Sequence, residues 1–267
     1  MDLVGVREYR VATTRRDLAL ASGEHVIGGG TWLFSEPQPE VTGVVDLMGL
    51  GWEPVVRTDD TLEIAATCTI AALRELPDSP LFSLCADSLL ASWKIQHIAT
   101  VGGNIATALP AGPMTSLAVA LDAEVVIWSA DSERRMPASE FVLGVQQTAL
   151  EPGEVLRSIV FPEHSLSARQ GFRRIALSPL GRTGTLVTAR VEASGETIVT
   201  VTGGTPRPYV LRFEEMPDAA GLAHAVDGID DWYDDPHGAP DWRRAMSLRF
   251  ADELREELRE GFREEVR

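Results

Sequence analysis

Cysteine is almost absent. Cys68 and Cys85 are the only two among 267 residues, too few for a disulfide framework and for an iron–sulfur cluster that needs four thiolates. Lysine is scarcer still: Lys94 stands alone and follows Trp93, so the Gly-Lys-Ser/Thr of a Walker-type phosphate loop is missing. No uninterrupted apolar run has membrane-spanning length, and "MDLVGVREYR" has no signal-like start. These absences predict a cytoplasmic protein without membrane insertion. Basic residues are outnumbered 24 to 40, giving a formal net charge of −16, which repels nucleic acid and anionic membranes. The histidines His25, His97, His164, His224 and His237 are scattered, and Cys68, Cys85 and His97 lack the short spacings of structural zinc. The aspartates of "DGIDDWYDDPHG" lack the calcium-loop pattern and read as a solvated capping loop. No metal is expected. With no triad or carboxylate-pair signature, no acid–base catalytic residue is expected either.

What remains is a globular composition, 44% hydrophobic and 24% charged, with length for one large domain or two. The chain begins as alternating elements: "REYRVAT" as a strand, Thr14 to Ser22 as a short helix, "HVI" and "GVVDL" as strands. "TLEIAAT" opens a second unit, followed by "CTIAALREL" and "SPLFSLCADSLLAS" at helical spacing, the latter entered through Ser79 and Pro80. Strands "AEVVIW" and "EVLRSIVF" follow, then a polar, irregular stretch at "PEHSLSARQG". The expected organisation is therefore a domain over residues 1–165, with subdomains of about 1–55 and 56–165, and a smaller domain over 166–267. In the latter, "TLVTARVEA" and "TIVTVTGG" read as strands joined by a Ser194-Gly195 turn. The last helix pairs Asp252/Arg255, Glu256/Arg259, Glu260/Arg263 and Glu264/Arg267 on one side and lines Phe250, Leu254, Leu258 and Phe262 on the other. It reads as a solvated amphipathic helix closing the domain.

Two glycine turns carry the chemistry. "HVIGGGTWL" and "TVGGNIATALPAGP" each place glycines after a short apolar run. Glycine there lets backbone amides face open space that a Cβ would fill, and several such amides form an anion-binding concavity. Either turn alone reads more readily as a simple chain reversal, and it is the pair that shifts the reading. Gly28 and Gly30 fit the first two positions of the dinucleotide fingerprint, but the third falls on Leu33, so a Rossmann nucleotide site is not expected. The turns lie 102 − 28 = 74 positions apart, which suggests loops of two units closing on one phosphate-bearing cofactor. Trp32, directly after the first turn, reads equally as a ring-stacking residue or as a hydrophobic staple.

The stretches "GGGTWL", "VVDL", "LEIAATCTIAAL", "KIQHIATVGGNIA", "SLAVALDAEV" and "ALEPGEVLRSIVFP" resemble the FAD-binding subunit of the molybdenum hydroxylases. That family includes the carbon monoxide dehydrogenase medium subunit and the xanthine dehydrogenase flavin domain. The resemblance runs almost the full length and is weaker after "GTLVTARV". It implies an α/β (α+β) fold: a two-subdomain FAD-binding domain of the vanillyl-alcohol-oxidase-like type and a C-terminal α+β domain. FAD would lie between the subdomains with its pyrophosphate at both turns. Gly28, Gly29, Gly30, Thr31, Trp32 and Leu33 fall in the first cofactor loop, and Thr100, Val101, Gly102, Gly103 and Asn104 in the second. Leu156 falls where a family leucine packs on the flavin, and Arg173 where a basic side chain reaches the cofactor. Trp32, Gln96 and Pro113 replace a family aspartate, arginine and aspartate. These changes affect hydrogen bonding at the flavin end and leave the phosphate turns intact. The implied partners are a molybdopterin-binding large subunit, where substrate is hydroxylated with water, and a small subunit with two two-iron clusters. Electrons would pass to FAD here and on to NAD, oxygen or a quinone-type acceptor. The alternative is a flavin-free structural or assembly subunit that kept the fold.

Overall fold

The computed structural model describes residues 3–265, with side chains of the last helix described as far as Arg259. Strands β1 (Glu8–Val11), β2 (Glu24–Ile27) and β3 (Gly43–Asp46) form a parallel sheet with β3 in the middle. Val44 and Val45 are buried, as expected for a central strand covered on both faces. The Arg10 guanidinium of β1 grips the Glu24 carboxylate of β2 with two 2.8 Å hydrogen bonds, tying the outer strands together past Gly43. The helix expected over Thr14 to Ser22 shrinks to one 3-10 turn, Arg15–Leu18. The Asp17 carboxylate accepts the amides of both Thr13 and Thr14, closing that turn on itself.

The second unit is an antiparallel five-stranded sheet in the order β4-β5-β10-β6-β7. Its strands are β4 (Val55–Arg57), β5 (Thr61–Ala65), β6 (Glu124–Trp128), β7 (Glu133–Pro137) and, beyond a small hairpin β8 (Val142–Gly144)/β9 (Gln147–Thr148), β10 (Val155–Pro162). Between β5 and β6 run five helices: α1 (Ile70–Arg74), α2 (Pro80–Ser88), α3 (Trp93–Gln96), α4 (Val101–Ala106) and α5 (Pro113–Ala120). A short α6 (Ala138–Phe141) follows β7. Ser79 and Pro80 begin α2 as expected, the Ser79 hydroxyl accepting the Leu81 amide at 3.1 Å. Phe82 of α2 meets Phe161 of β10 edge to face, centroids 5.5 Å apart, inside the largest core. Every residue of α5 is buried, because this helix is the central layer of the molecule.

After α7 (Glu163–Leu166), the chain enters an antiparallel sheet of β11 (Arg169–Ile175), β12 (Thr185–Val191), β13 (Thr197–Thr202) and β14 (Tyr209–Phe213), followed by α8 (Ala219–Asp227) and α9 (Pro240–Glu265). All residues of β12 and β13 are buried: α5 packs on one face of this sheet, and α9 packs against β12 from the other. Threonines are tolerated at such sites when their hydroxyls are bonded. Thr188 pairs with Thr200, and Thr202 with Ser116 of α5 at 2.7 Å. The Ser194-Gly195 turn is present, with Gly195 at φ 95°. Phe250, Leu254 and Leu258 of α9 are buried against the sheet, while Asp252/Arg255 and Glu256/Arg259 pair as expected. Phe262 and the pairs at Glu260/Arg263 and Glu264/Arg267 lie outside the described side chains.

Candidate cofactor cleft

A cleft of about 890 Å³ opens between the three sheets, within the range of small-molecule and cofactor sites. One wall is the end of β2 and the turn that follows it. A second comes from Leu89–Ala91, α4 and the start of α5; Val155 and Leu156 of β10 form the floor, and Leu180, Arg182 and Thr183 reach in from the β11–β12 loop. No aspartate or glutamate lines the cleft, although the chain carries 40 of them. The titratable lining groups are His25 and Arg182, so an anionic ligand meets no like charge in the wall.

The first glycine turn is built to present its backbone. Gly30 sits at φ 67°, a left-handed conformation that an L side chain adopts only with strain. Gly29 is glycine for space: a Cβ there would stand 1.8 Å from the Ile98 carbonyl oxygen. Phe34 and Ser35 donate back to the carbonyls of Gly30 and Trp32, which fixes the turn. No protein hydrogen bond among the described residues engages the amides of Gly29, Gly30, Thr31, Trp32 or Leu33. Five consecutive uncommitted N–H groups beside a cleft are donors of the kind that anion-binding concavities use.

The second turn does something else. Val101 and Gly102 donate their amides to the carbonyls of Cys68 and Ala66, and Asn104 donates to Thr100. The Gly103 amide goes to the Thr100 hydroxyl at 3.1 Å. These donors are spent inside the protein, which corrects the expectation that both turns offer amides to a pyrophosphate. Gly102 lets α4 press against β5: a Cβ would lie 2.3 Å from the Ala66 Cβ and 2.7 Å from its Cα. The turn still shapes the site. The Thr100 side chain packs on Gly28, and the Asn104 side-chain oxygen accepts the Met114 amide at 3.0 Å. Asn104 thereby caps α5, whose own cap residue is Gly112.

Gly28, Gly29, Gly30, Thr31, Trp32, Leu33, Thr100, Gly102, Gly103, Asn104 and Leu156 all line this one cleft. Val101 does not: it is 1% exposed and belongs to the core beside Ile105. Arg173 does not either. Its guanidinium pairs with Glu253 at 3.2 Å and Glu257 at 2.5 Å on α9. The reason is strand alternation. Gly171 of β11 faces Leu254 of α9, so Arg173, two residues on, shares that face, while Phe172 packs against the core that holds Phe82 and Phe161. Gln96 and Pro113 also lie outside the lining, and Pro113 serves as the first-turn proline of α5. Trp32 is half-buried at the cleft wall. Sequence reasoning missed Leu89–Ala91, Gln146, Leu150 and Arg182, which only tertiary folding brings to the cleft. Leu90 and Gln146 carry a signal visible in the backbone, φ 53° and 55°, strain of the kind that gathers at ligand sites. Both cysteines are buried; burial pushes the Cys68 thiol up to about 11 and raises Cys85 further, so neither is a ready thiolate.

Free amides and a wall without carboxylates, in a cleft between α/β units, suit an anionic, phosphate-bearing cofactor. The family model for the FAD binding domain in molybdopterin dehydrogenase matches residues 10–164, and the chain belongs to this family, with FAD as its cofactor and oxidoreductase chemistry as its class. It is similar to the nicotinate dehydrogenase FAD-subunit of Eubacterium barkeri, 28% identical over 211 residues covering 72% of this chain and 70% of that one. It is also similar to the carbon monoxide dehydrogenase medium chain of Hydrogenophaga pseudoflava, 26% identical over 151 residues, spanning half of that chain. Among solved structures, quinoline 2-oxidoreductase from Pseudomonas putida 86 superposes with a TM-score of 0.81 over 98% of this chain and 99% of that one, at 20% identity, a likeness of fold.

Proposed function

We propose that this chain is the FAD-carrying electron-transfer subunit of a molybdenum hydroxylase complex. It takes electrons from iron–sulfur clusters on a small partner subunit and passes them to NAD, oxygen or a quinone-type acceptor. The organic substrate is hydroxylated on a molybdopterin-binding large subunit. The observation that carries the reading is the run of five uncommitted amides from Gly29 to Leu33 at a cleft without carboxylates. Bound FAD supplies two-electron redox chemistry that no side chain of this protein offers.

The chain's own residues bind and orient. The first-turn amides hold the diphosphate, and Leu156 and Val155 give an apolar floor on which a ring system lies out of water. The half-buried Trp32 offers a stacking face at the wall. Of the three replacements that favour a flavin-free alternative, Gln96 and Pro113 fall on residues outside the lining, and Trp32 stays in it. They remove no wall of the cleft.

The test is purification of the tagged chain from its own cells. Iron, molybdenum and FAD recovered together in a fixed ratio are the expected result. A chain that purifies alone with FAD, without iron or molybdenum, contradicts the complex, and substrate hydroxylation by the isolated chain contradicts the division of labour.

A further inference from the structure

The strand that floors the cleft breaks the alternation its own pleat dictates. Ile159 and Phe161 of β10 belong to the large core, and so does Leu156. Three residues separate Leu156 from Ile159, and a regular strand would turn the two to opposite faces. The pairing with β6 gives the cause. Leu156 stands opposite Ile127, and Ser158 stands opposite Val126, so β10 carries one extra residue, Arg157, in a bulge. Bulges re-aim the side chains beside them. In an unbroken register Arg157 would share the face of Ile159 and Phe161, and Leu156 would turn away from it.

The bulge is fastened on both of its sides. Its backbone holds the cleft wall: the Arg157 carbonyl accepts the Ala66 amide at 2.9 Å, and the Ala66 carbonyl accepts the Gly102 amide at 2.9 Å. Ala66, Gly102 and Leu156 all line the cleft, and Arg157 does not. Its side chain leaves by the other face, where Val155 packs with Leu18, Val45 and Leu47. There the guanidinium lies 4.5 Å from the Trp52 ring and 5.2 Å from the Trp128 ring, and the two rings meet edge to face at 5.7 Å.

This placement is costly. Nε and Nη1 of Arg157 are buried with no hydrogen-bond partner among the described residues. The Glu63 carboxylate stands 4.0 Å from Nη1, beyond hydrogen-bonding reach. Buried unpaired N–H groups destabilise a fold, and a methionine of similar length would fill the slot without them. What arginine adds is a flat group that stacks on aromatic faces in one attitude, whereas methionine adapts to several. Resting on the FAD reading above, we propose that Arg157 is a positioning residue of the cofactor cleft: clamped by Trp52 and Trp128, it holds the bulge that turns Leu156 onto the floor beneath FAD. Its contribution is to cofactor affinity, exerted through Leu156 and made at the expense of stability.

The experiment uses the full chain and measures FAD affinity by titration and stability by urea unfolding. It compares wild type, R157M, L156A and the double variant L156A/R157M, with D122A, outside the cleft lining, as the control for a loosened fold. R157M is expected to bind FAD about tenfold more weakly, while unfolding at the same urea concentration as wild type or a higher one. D122A is expected to lose stability and to keep FAD affinity within about twofold. The double variant is expected to bind FAD within about twofold of L156A alone, because one route carries both effects. Should R157M not fold, R157K, which keeps the charge without the flat stacking surface, takes its place with the same expected loss of affinity. Wild-type affinity in R157M overturns the inference. Additive losses in the double variant also overturn it, since Arg157 would then act by another path, and so does a loss in D122A equal to that in R157M. If wild type itself binds no FAD, the FAD reading fails first and the inference with it.

Discussion

Glu24 shows how one side chain holds the cofactor turn in place. Its carboxylate lies at the start of β2 and is held down to about 2 by the Arg10 guanidinium first and the Ala21 amide second. A carboxyl with a folded-state pKa below its unfolded value stabilises the fold while ionised. That contribution is present above the usual carboxylate range and is lost as pH falls from about 4.5 toward 2. Glu24→Gln is expected to cost about 2 kcal/mol at pH 7, the scale of a charged hydrogen-bonded pair. It should also flatten the acid limb of the stability curve between pH 5 and about 2, as read by urea unfolding at several pH values. Gly29 is a second single-residue test. With a Cβ only 1.8 Å from the backbone oxygen of Ile98, Gly29→Ala forces two main chains apart. The expected cost is about 3 kcal/mol, with weaker FAD binding on titration. An alanine variant as stable as wild type would mean that the two turns are not packed back to back.

At the scale of elements, the glycine turns were legible in the sequence because glycine after an apolar run has few uses. Their division of labour was not. Whether an amide is free depends on the carbonyls of Ala66 and Cys68, some 35 positions earlier in the chain, and no local pattern reports that pairing. The strands "TLVTARV" and "TIVTVT" were legible as β-branched runs, and their burial on both faces follows from α5 and α9. Arg173 shows the opposite case. A shift of one residue along a strand moves a side chain to the other face, and matching by resemblance did not resolve that shift. The structure places Arg174, not Arg173, with the loop that reaches the cleft. Arg173→Gln is expected to leave FAD affinity within twofold and to cost about 1 kcal/mol of stability through its lost pairs to α9, which are one-third to one-half exposed. A tenfold loss of FAD affinity without loss of stability would return Arg173 to the site.

At the scale of the molecule, the cleft exists because three units are fastened around it. Arg157 lies between Trp52 and Trp128, at 4.5 and 5.2 Å from the ring centroids, and Arg15 covers Trp128 at 4.6 Å. This stack joins the three-stranded unit to the five-stranded one through contacts that lose less on desolvation than a salt bridge does. On the other side, Asp122 follows α5 and binds both Arg190, 1% exposed, and Arg212 of the C-terminal sheet. Asp122→Ala leaves Arg190 with Glu192 and the Ala120 carbonyl only. The expected loss is about 2 kcal/mol, less than for a fully buried pair because Asp122 is partly exposed, and thermal unfolding measures it. A change below about 0.5 kcal/mol would show that the sheet is held by α5 packing alone.

The central claim is that the chain binds FAD in this cleft, and the most direct measurement is a visible absorption spectrum of the purified full chain after incubation with FAD and desalting. Flavin bands are expected to survive, with FAD identified after heat release. A colourless protein that also shows no affinity on FAD titration would contradict the account, because the free amides, the carboxylate-free wall and the fold would then be present without their ligand.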